Sequence, residues 1–361
     1  MSVLITDIYN SQAVAVRRSE NPSNAMDFVG KAFFPTRKKL GLSIKWIKTY
    51  KGLNAILKPS NFDALPMIRT RKGFKQESTE MVFFRESMTI KEEDMMRLME
   101  IEDSNSPFVP EILTSIYDDV SKLIDGAEIA AEVMRMSLIA PKDGKPVIAI
   151  GTGNSESDNM VYGYNYDPDG TYTQKHYMKL TSSDTWDKPQ TSKPLSDMQQ
   201  GTKYLKSIGV NPRYAMMNST TFDYLIENEQ IKNALITLSG RNVDFTDEAT
   251  VKDVFTRKTG LIPIIYDKMY VDYAGKDQKF YPDDKVTIIG AGTLGSTYYG
   301  VTPEERTMMS NGKVDVSMFE DRIAIANKIE QGPPLKLTTT VSQLALPSYE
   351  GIDSTYVIDV K

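Results

Sequence analysis

The residues Gly290-Ala-Gly292-Thr-Leu-Gly295 follow the strand-like run Val286-Thr-Ile-Ile and have the G-x-G-x-x-G spacing that lets a backbone approach a dinucleotide pyrophosphate. That chemistry needs a helix N-terminus directly after the glycines, within a βαβ unit of about 30 residues. The next residues, Ser296-Thr-Tyr-Tyr-Gly300-Val-Thr-Pro303, are β-prone and interrupted by Gly and Pro, so the glycines read as a turn. Asp167-Pro-Asp169-Gly170 begins like a calcium loop but lacks the later carboxylates, and it too reads as a turn. His176, the one histidine, has no partner motif and reads as structural. Asp118-Asp119 lies on a solvated helix face, not in a cleft where two acids could stand the roughly 5 Å apart that a retaining glycosidase needs. Arg69-Thr-Arg71-Lys72 could meet phosphate but has no interleaved aromatics for base stacking. No catalytic residue, cofactor site or metal site is expected.

The composition narrows the function further. With 361 residues, the chain is long enough for two or three domains. Hydrophobic residues make up 40% and charged residues 25%, which is ordinary globular usage. The absence of Cys excludes disulfides, thiolate metal sites and cysteine nucleophiles, and a single His excludes a multi-histidine zinc site. No apolar run approaches the roughly 18 residues of a membrane span, and the N-terminus lacks the order of a signal peptide, so a cytoplasmic protein is expected. The net charge of −5 conceals an asymmetry. Residues 1–90 hold 15 Lys/Arg against 7 Asp/Glu, whereas residues 91–140 hold 4 against 12. A basic arm before an acidic helical block suits a self-associating chain in which one subunit's arm lies on another's block. Two solvated faces of one monomer would produce the same pattern.

The elements that must position these groups follow from periodicity. The first 40 residues alternate apolar patches with turn formers and read as an extended arm ending in Phe33-Phe34-Pro35. Leu42, Ile44 and Trp46 alternate as a strand, and 79–90 forms a second strand-like run through Val82-Phe83-Phe84. The roughly 30 polar residues between them make a long hairpin loop of the kind usually kept for binding. Thr89 and Glu92 fit a capping box. Over 109–138, apolar residues from Ile112 to Leu138 recur at three- and four-residue steps, predicting a helix about 45 Å long. A β-hairpin is expected over 146–180 and a polar linker over 181–193. Mixed α/β follows, with helices at 195–208 and at 219–228 (capped by Ser219 or Thr220), then strands at 214–217, 261–266, 268–273 and 286–289. The C-terminus reads as β-rich.

Three stretches in this order and spacing resemble the phage major capsid protein E family, the shell subunits of tailed bacteriophages. They are 266–305 with Lys279-Phe-Tyr-Pro-Asp283; Gly332-Pro-Pro-Leu-Lys-Leu-Thr-Thr-Thr-Val-Ser-Gln343 running on to Asp353; and Phe33-Phe34-Pro35 before the strand at Trp46. The resemblance covers nearly the whole chain. It implies an α+β, tailed-phage major capsid protein fold with an N-terminal arm (1–40) and an extended β-hairpin loop (41–90). A peripheral domain with a long spine helix (91–190 and 308–345, helix 109–138) and an axial α/β domain (191–307 and 346–361) complete it. The implied function is that of a non-enzymatic structural subunit of an icosahedral bacteriophage head, self-assembling into pentamers and hexamers around packaged DNA.

The implied partners are other copies of the chain, a scaffold or maturation protease, a portal and a decoration protein. Double-stranded DNA is enclosed without sequence-specific binding, and no membrane is involved. The implied location is the capsid shell of the virion, assembled in the host bacterial cytoplasm. Two alternatives stand beside it: a cellular encapsulating shell protein of the same fold carrying enzyme cargo, and a nucleotide-binding enzyme using residues 290–295. Candidate inter-subunit contacts are Phe33, Phe34, Trp46, Phe83 and Phe84 as apolar anchors, with Arg69, Arg71 and Lys72 facing Asp118, Asp119, Asp125 and Glu128 across the interface.

Overall fold

The computed structural model describes residues 10–20, 27–48, 75–90, 109–151, 160–239, 247–310, 315–330 and 336–361. In chain order the helices are α1 (Ser11–Glu20), α2 (Gly30–Phe33), α3 (Val109–Ile139), α4 (Thr171–Lys175), α5 (Pro194–Ser207), α6 (Ser219–Glu227), α7 (Glu229–Ser239), α8 (Glu248–Thr259) and α9 (Pro303–Ser310). The strands are β1 (Thr36–Lys38), β2 (Ser43–Lys48), β3 (Lys75–Glu80), β4 (Val82–Ile90), β5 (Val147–Gly151), β6 (Met160–Asn165), β7 (Tyr177–Lys179), β8 (Pro212–Met217) and β9 (Ile262–Ile265). They continue with β10 (Met269–Val271), β11 (Asp277–Lys279), β12 (Lys285–Gly290), β13 (Thr297–Tyr299), β14 (Val316–Phe319), β15 (Ile323–Glu330), β16 (Lys336–Pro347) and β17 (Thr355–Asp359). Two compact units result. The first comprises Met1–Lys45, Ser78–Glu132 and Ser296–Ser348; the second comprises Trp46–Glu77, Val133–Gly295 and Tyr349–Lys361.

In the first unit, β16 is the central strand of a sheet ordered β1-β13-β16-β15-β14, with β4 also paired to β16. Its Leu-Thr-Thr-Thr-Val run is rich in β-branched residues that suit a pleated surface. Leu337, Thr339 and Val341 are buried in alternation, while Thr338 and Thr340 turn to the other face and share hydroxyl hydrogen bonds with Thr89 and Ser87 of β4. The buried side joins Val14 of α1 to Leu123, Ile124 and Ala127 of α3 and to Phe319, Ile323 and Ile325. The expected extended arm is therefore helical over Ser11–Glu20. Propensity alone is weak over ten residues, and tertiary packing of Val14 supplies what the pattern lacks.

The strand expected over 79–90 is two strands broken at Met81, which is 1% exposed and donates its N–H to the Leu42 carbonyl at 2.9 Å. β3 pairs with β2, whereas β4 pairs with β16. Thr89 belongs to β4 and bonds across the sheet, so it does not cap a helix; Glu92 lies outside the described residues.

The second unit is built on a sheet ordered β7-β17-β12-β8-β9, in which β8 and β9 are parallel and β12 is antiparallel to both neighbours. Helices α5 to α8 cover it through Met198, Leu205, Phe222, Leu225, Val251 and Phe255, packed on Ala215, Met217, Val286, Ile288 and Ile358. Every residue of β12 is buried, as a strand covered on both faces requires. Its polar members are satisfied: Lys285 Nζ donates to the Pro141 carbonyl and pairs with Asp359, both at 2.8 Å, and Thr287 donates to the Ile139 carbonyl. Gly201 lets α5 lie against this sheet, because a Cβ there would stand 2.6 Å from Ile288 Cδ1.

Helix α3 ends one residue beyond the predicted 138. The polar segment 181–193 lies inside the second unit, with Trp186 fully buried and its indole N–H donated to Asp197 at 3.0 Å. The α6 cap is Asn218, not Ser219 or Thr220; its side chain accepts from Thr221 N at 2.9 Å.

Candidate assembly surfaces

The basic N-terminal segment and the acidic helix meet within the first unit. Arg18 Nη2 lies 2.5 Å from Asp125 Oδ1, and Lys31 Nζ lies 3.0 Å from Glu128 Oε2. The Gly30 N–H donates to Glu132 Oε1 at 2.8 Å, and Arg322 donates to Glu128 Oε1 at 2.8 Å. Ser11 closes the N-terminal end, its N–H and hydroxyl both donating to Asp315. Burial pushes the Asp125 carboxyl up, and the Arg18 hydrogen bond only partly offsets it. Burial also acts on Glu128, but Arg322 and Lys31 outweigh it and hold that carboxyl below its ordinary range. Basic segment and acidic block are thus complementary, and these particular charges are paired inside one chain.

The other expected contact residues are distributed unevenly. Phe33 and Phe34 are buried in the first unit, 4% and 0% exposed, and the Phe34 carbonyl accepts from the Thr297 hydroxyl. Phe83 and Phe84 are half-buried on β4, with the Arg85 guanidinium 4.7 Å above the Phe83 ring. Asp118 is exposed on α3. Trp46 and Asp119 lie on β2 and α3, but their side chains lie outside the described residues, as do Arg69, Arg71 and Lys72 altogether. Among the described residues the large apolar side chains most open to solvent are others: Val16, Leu40 and Leu42 in the first unit, and Ile262, Met269, Val271 and Tyr273 in the second. The sequence carried one signal for the last group, since Met269-Tyr-Val271-Asp-Tyr273 places apolar residues on both faces of a short strand.

The motifs that suggested chemistry resolve into structure. Gly290 ends β12 and the chain reaches β13 seven residues later without a helix, so no N-terminus exists to receive a pyrophosphate. A Cβ at Gly290 would stand 2.7 Å from Val210 Cγ1, and Gly292 adopts φ +99°, so these glycines serve packing and a turn. Asp167 accepts from Tyr172 N, Thr173 N and the Thr173 hydroxyl, which spends its carboxylate on the turn.

His176 stacks on Tyr172 at 5.1 Å and bonds through Nδ1 to the Thr355 carbonyl at 2.8 Å. Nδ1 therefore carries the proton, and Nε2 faces the Tyr204 hydroxyl at 3.4 Å. Burial pushes this imidazole below its ordinary range. Among the described residues no group of three or more His, Asp or Glu could hold a metal, and no helix is long and apolar enough to cross a membrane.

Two solved structures share the arrangement. A phage-related protein of Bordetella bronchiseptica RB50 matches at 11% identity with a TM-score of 0.54, over 97% of each chain. The proposed capsid protein of an Escherichia coli CFT073 prophage matches at 12% identity with a TM-score of 0.54, over 80% of each chain. At such identities these likenesses concern the fold. No match was found among curated proteins. The sequence model of a single family spans residues 11–343, nearly the whole of the two-unit architecture, and on that match the chain belongs to the family described as phage major capsid protein E.

Proposed function

We propose that this chain is the structural subunit of an icosahedral bacteriophage head, assembling into pentamers and hexamers that form the shell around packaged double-stranded DNA. The observation that carries the reading is the family match over residues 11–343. The role is mechanical: the subunit works by repeated contact and not by turnover. The extended loop is assigned to 41–90, and the 31-residue helix α3 is the spine of the peripheral domain. The sheet of the second unit, with α5 to α8, is assigned to the axial domain. Scaffold or maturation protease, portal and a decoration protein are the partners of this reading, with assembly in the host cytoplasm. The net charge of −5 is compatible with an inner wall that encloses DNA without gripping it.

Negative-stain electron microscopy of the protein expressed alone, and with the scaffold gene of its phage, tests the reading. Closed shells, or rings of five and six subunits, are expected. A monodisperse monomer or dimer under both conditions would overturn it. Within this reading, Arg69, Arg71 and Lys72 act at the interface, so reversing all three to Glu should impair assembly of a subunit that still folds. Normal shells from the triple variant would remove that part of the proposal.

A further inference from the structure

The second unit encloses the ring of His176, whose side chain is 5% exposed, and commits one of its nitrogens. Nδ1–H donates to the Thr355 carbonyl at 2.8 Å, and the His176 carbonyl accepts from Val357 N, so ring and main chain are both tied to β17. Tyr172 of α4 stacks on the ring at 5.1 Å, and Tyr204 of α5 meets it edge-on at 5.0 Å. Only Nε2 is left to take a proton. Two groups from different elements compete for it. The Tyr204 hydroxyl stands 3.4 Å away, and Asp353 Oδ1, on the 3-10 turn Ile352–Ser354, stands 3.9 Å away.

The two competitors suit opposite states of the ring. A neutral imidazole presents a lone pair at Nε2, which accepts a proton from a hydroxyl and gains nothing from a carboxylate. An imidazolium presents an N–H there, which a carboxylate accepts strongly and to which the hydroxyl's proton is no use. The other charges facing the ring are Lys175 of α4, which opposes the imidazolium, and Asp167 before α4, which favours it as Asp353 does. Burial pushes the Tyr172 and Tyr204 hydroxyls up, so neither becomes a competing anion. The turn that carries Asp353 is itself pinned. Thr355 Oγ1 spends its one proton on the Ile352 carbonyl at 3.0 Å, so the Tyr172 and Tyr349 hydroxyls, 2.9 and 2.8 Å away, stand as donors to it. Asp353 is freer than its turn: its carboxylate makes no hydrogen bond among the described residues, and its side chain is 18% exposed.

We propose that His176 is a proton-operated exchange contact: when neutral, its Nε2 accepts from Tyr204 of α5, and when protonated it releases Tyr204 and pairs with Asp353 of the 352–354 turn. The Asp353 carboxylate must approach by about 1 Å to reach ordinary ion-pair distance, which a side-chain rotation supplies without moving the pinned backbone. Acid thus trades a contact from the ring to a helix for one from the ring to a turn. The device belongs to the single subunit and stands or falls independently of the shell reading.

Because the chain has one histidine, 13C,15N-histidine labelling of the full-length subunit gives one imidazole whose midpoint and protonation site are read together by NMR. In wild type, the Nε2 resonance should titrate while Nδ1 stays protonated throughout. Asp353→Asn should lower the midpoint by about one pH unit, as loss of an adjacent opposite charge does, and Asp353→Glu should restore it. Tyr204→Phe should move it the other way, up by about half a unit, because only the neutral ring loses a partner. Opposite shifts from two neighbours of one ring are not expected of residues that merely pack against it. Thermal unfolding at pH 8, where the ring is neutral, checks that each variant folds. Should Asp353→Asn not fold, Tyr204→Phe decides. An unchanged midpoint in a folded Asp353→Asn, an unchanged or lowered one in Tyr204→Phe, or titration at Nδ1 would each overturn the exchange.

Discussion

Glu128 is the test of how the first unit is held together. Its carboxylate accepts from Arg322 at 2.8 Å and pairs with Lys31 at 3.0 Å; the Arg322 and Glu128 side chains are 6% and 9% exposed, that of Lys31 33%. Glu128→Gln preserves the shape while removing the charge. The Lys31 pair, partly solvated, accounts for at most about 1 kcal/mol. The larger cost is a guanidinium left buried without its carboxylate, for which removal of one partner costs about 3–5 kcal/mol. Glu320, which also touches Arg322, brings the expected loss toward the lower end, about 3 kcal/mol.

For a unit of this size, that loss corresponds to a fall in Tm of about 6–12 °C. The signature is pH-dependent. The folded carboxyl sits below its unfolded value of 4.5, so its contribution is present above that pH and disappears as pH falls through the folded pKa. Wild type and Glu128→Gln should therefore differ at pH 7 and converge in acid. Calorimetry of the full chain measures both, with exposed Asp118→Asn on the same helix as a control expected within about 0.5 kcal/mol of wild type. A difference below about 1 °C at pH 7 would refute the claim that this pair holds helix and sheet together.

Two further outcomes follow from the second unit. His176 titrates below 6.5 when folded, so the unfolded chain takes the proton first and stability declines as pH drops below 6.5, levelling once the folded pKa is passed. As the one histidine in the chain, it gives one imidazole signal by NMR; a midpoint at or above 6.5 would contradict its burial. At Gly201, the gain in helix propensity on substitution by Ala is about 1 kcal/mol, against an overpacking cost of about 1–3 kcal/mol where the new methyl meets Ile288 and Tyr356. A net destabilisation of about 1 kcal/mol in urea unfolding is expected, and a more stable Gly201→Ala variant would show that the helix has room to move away.

Some of this architecture was legible in the residues and some was not, for physical reasons. Helix α3 announced itself because eight apolar positions from Ile112 to Leu138 repeat at helical spacing, and the strand around Val286 because a β-branched run ends at turn formers. The capsid family was readable from the order of three stretches. Helix α1 was not legible: its Val14 packs against residues more than 100 positions away, and Ser11 is tied to Asp315. The break at Met81 was equally hidden, since a strand that changes partners keeps its own periodicity. The opposite charges of residues 1–90 and 91–140 were legible, but the pairings of Arg18 with Asp125 and Lys31 with Glu128 inside one chain were not, because composition records sign and not distance.

The interleaving of the two units has a consequence for synthesis. Each draws an interior strand from late in the chain: β16 lies between β15 and both β4 and β13, and β17 lies between β7 and β12. A nascent chain that has produced α1, α3 and β4 still lacks the strand on which they close, and one that has produced α5 to α8 and β12 still has an open sheet edge. Completion of both units thus awaits residues 336–359, which follow every other described strand in the chain. Such non-local pairing is slow to form and exposes edges meanwhile. Until that stretch is made, a polysome carrying many partial copies holds open sheet edges and no completed unit.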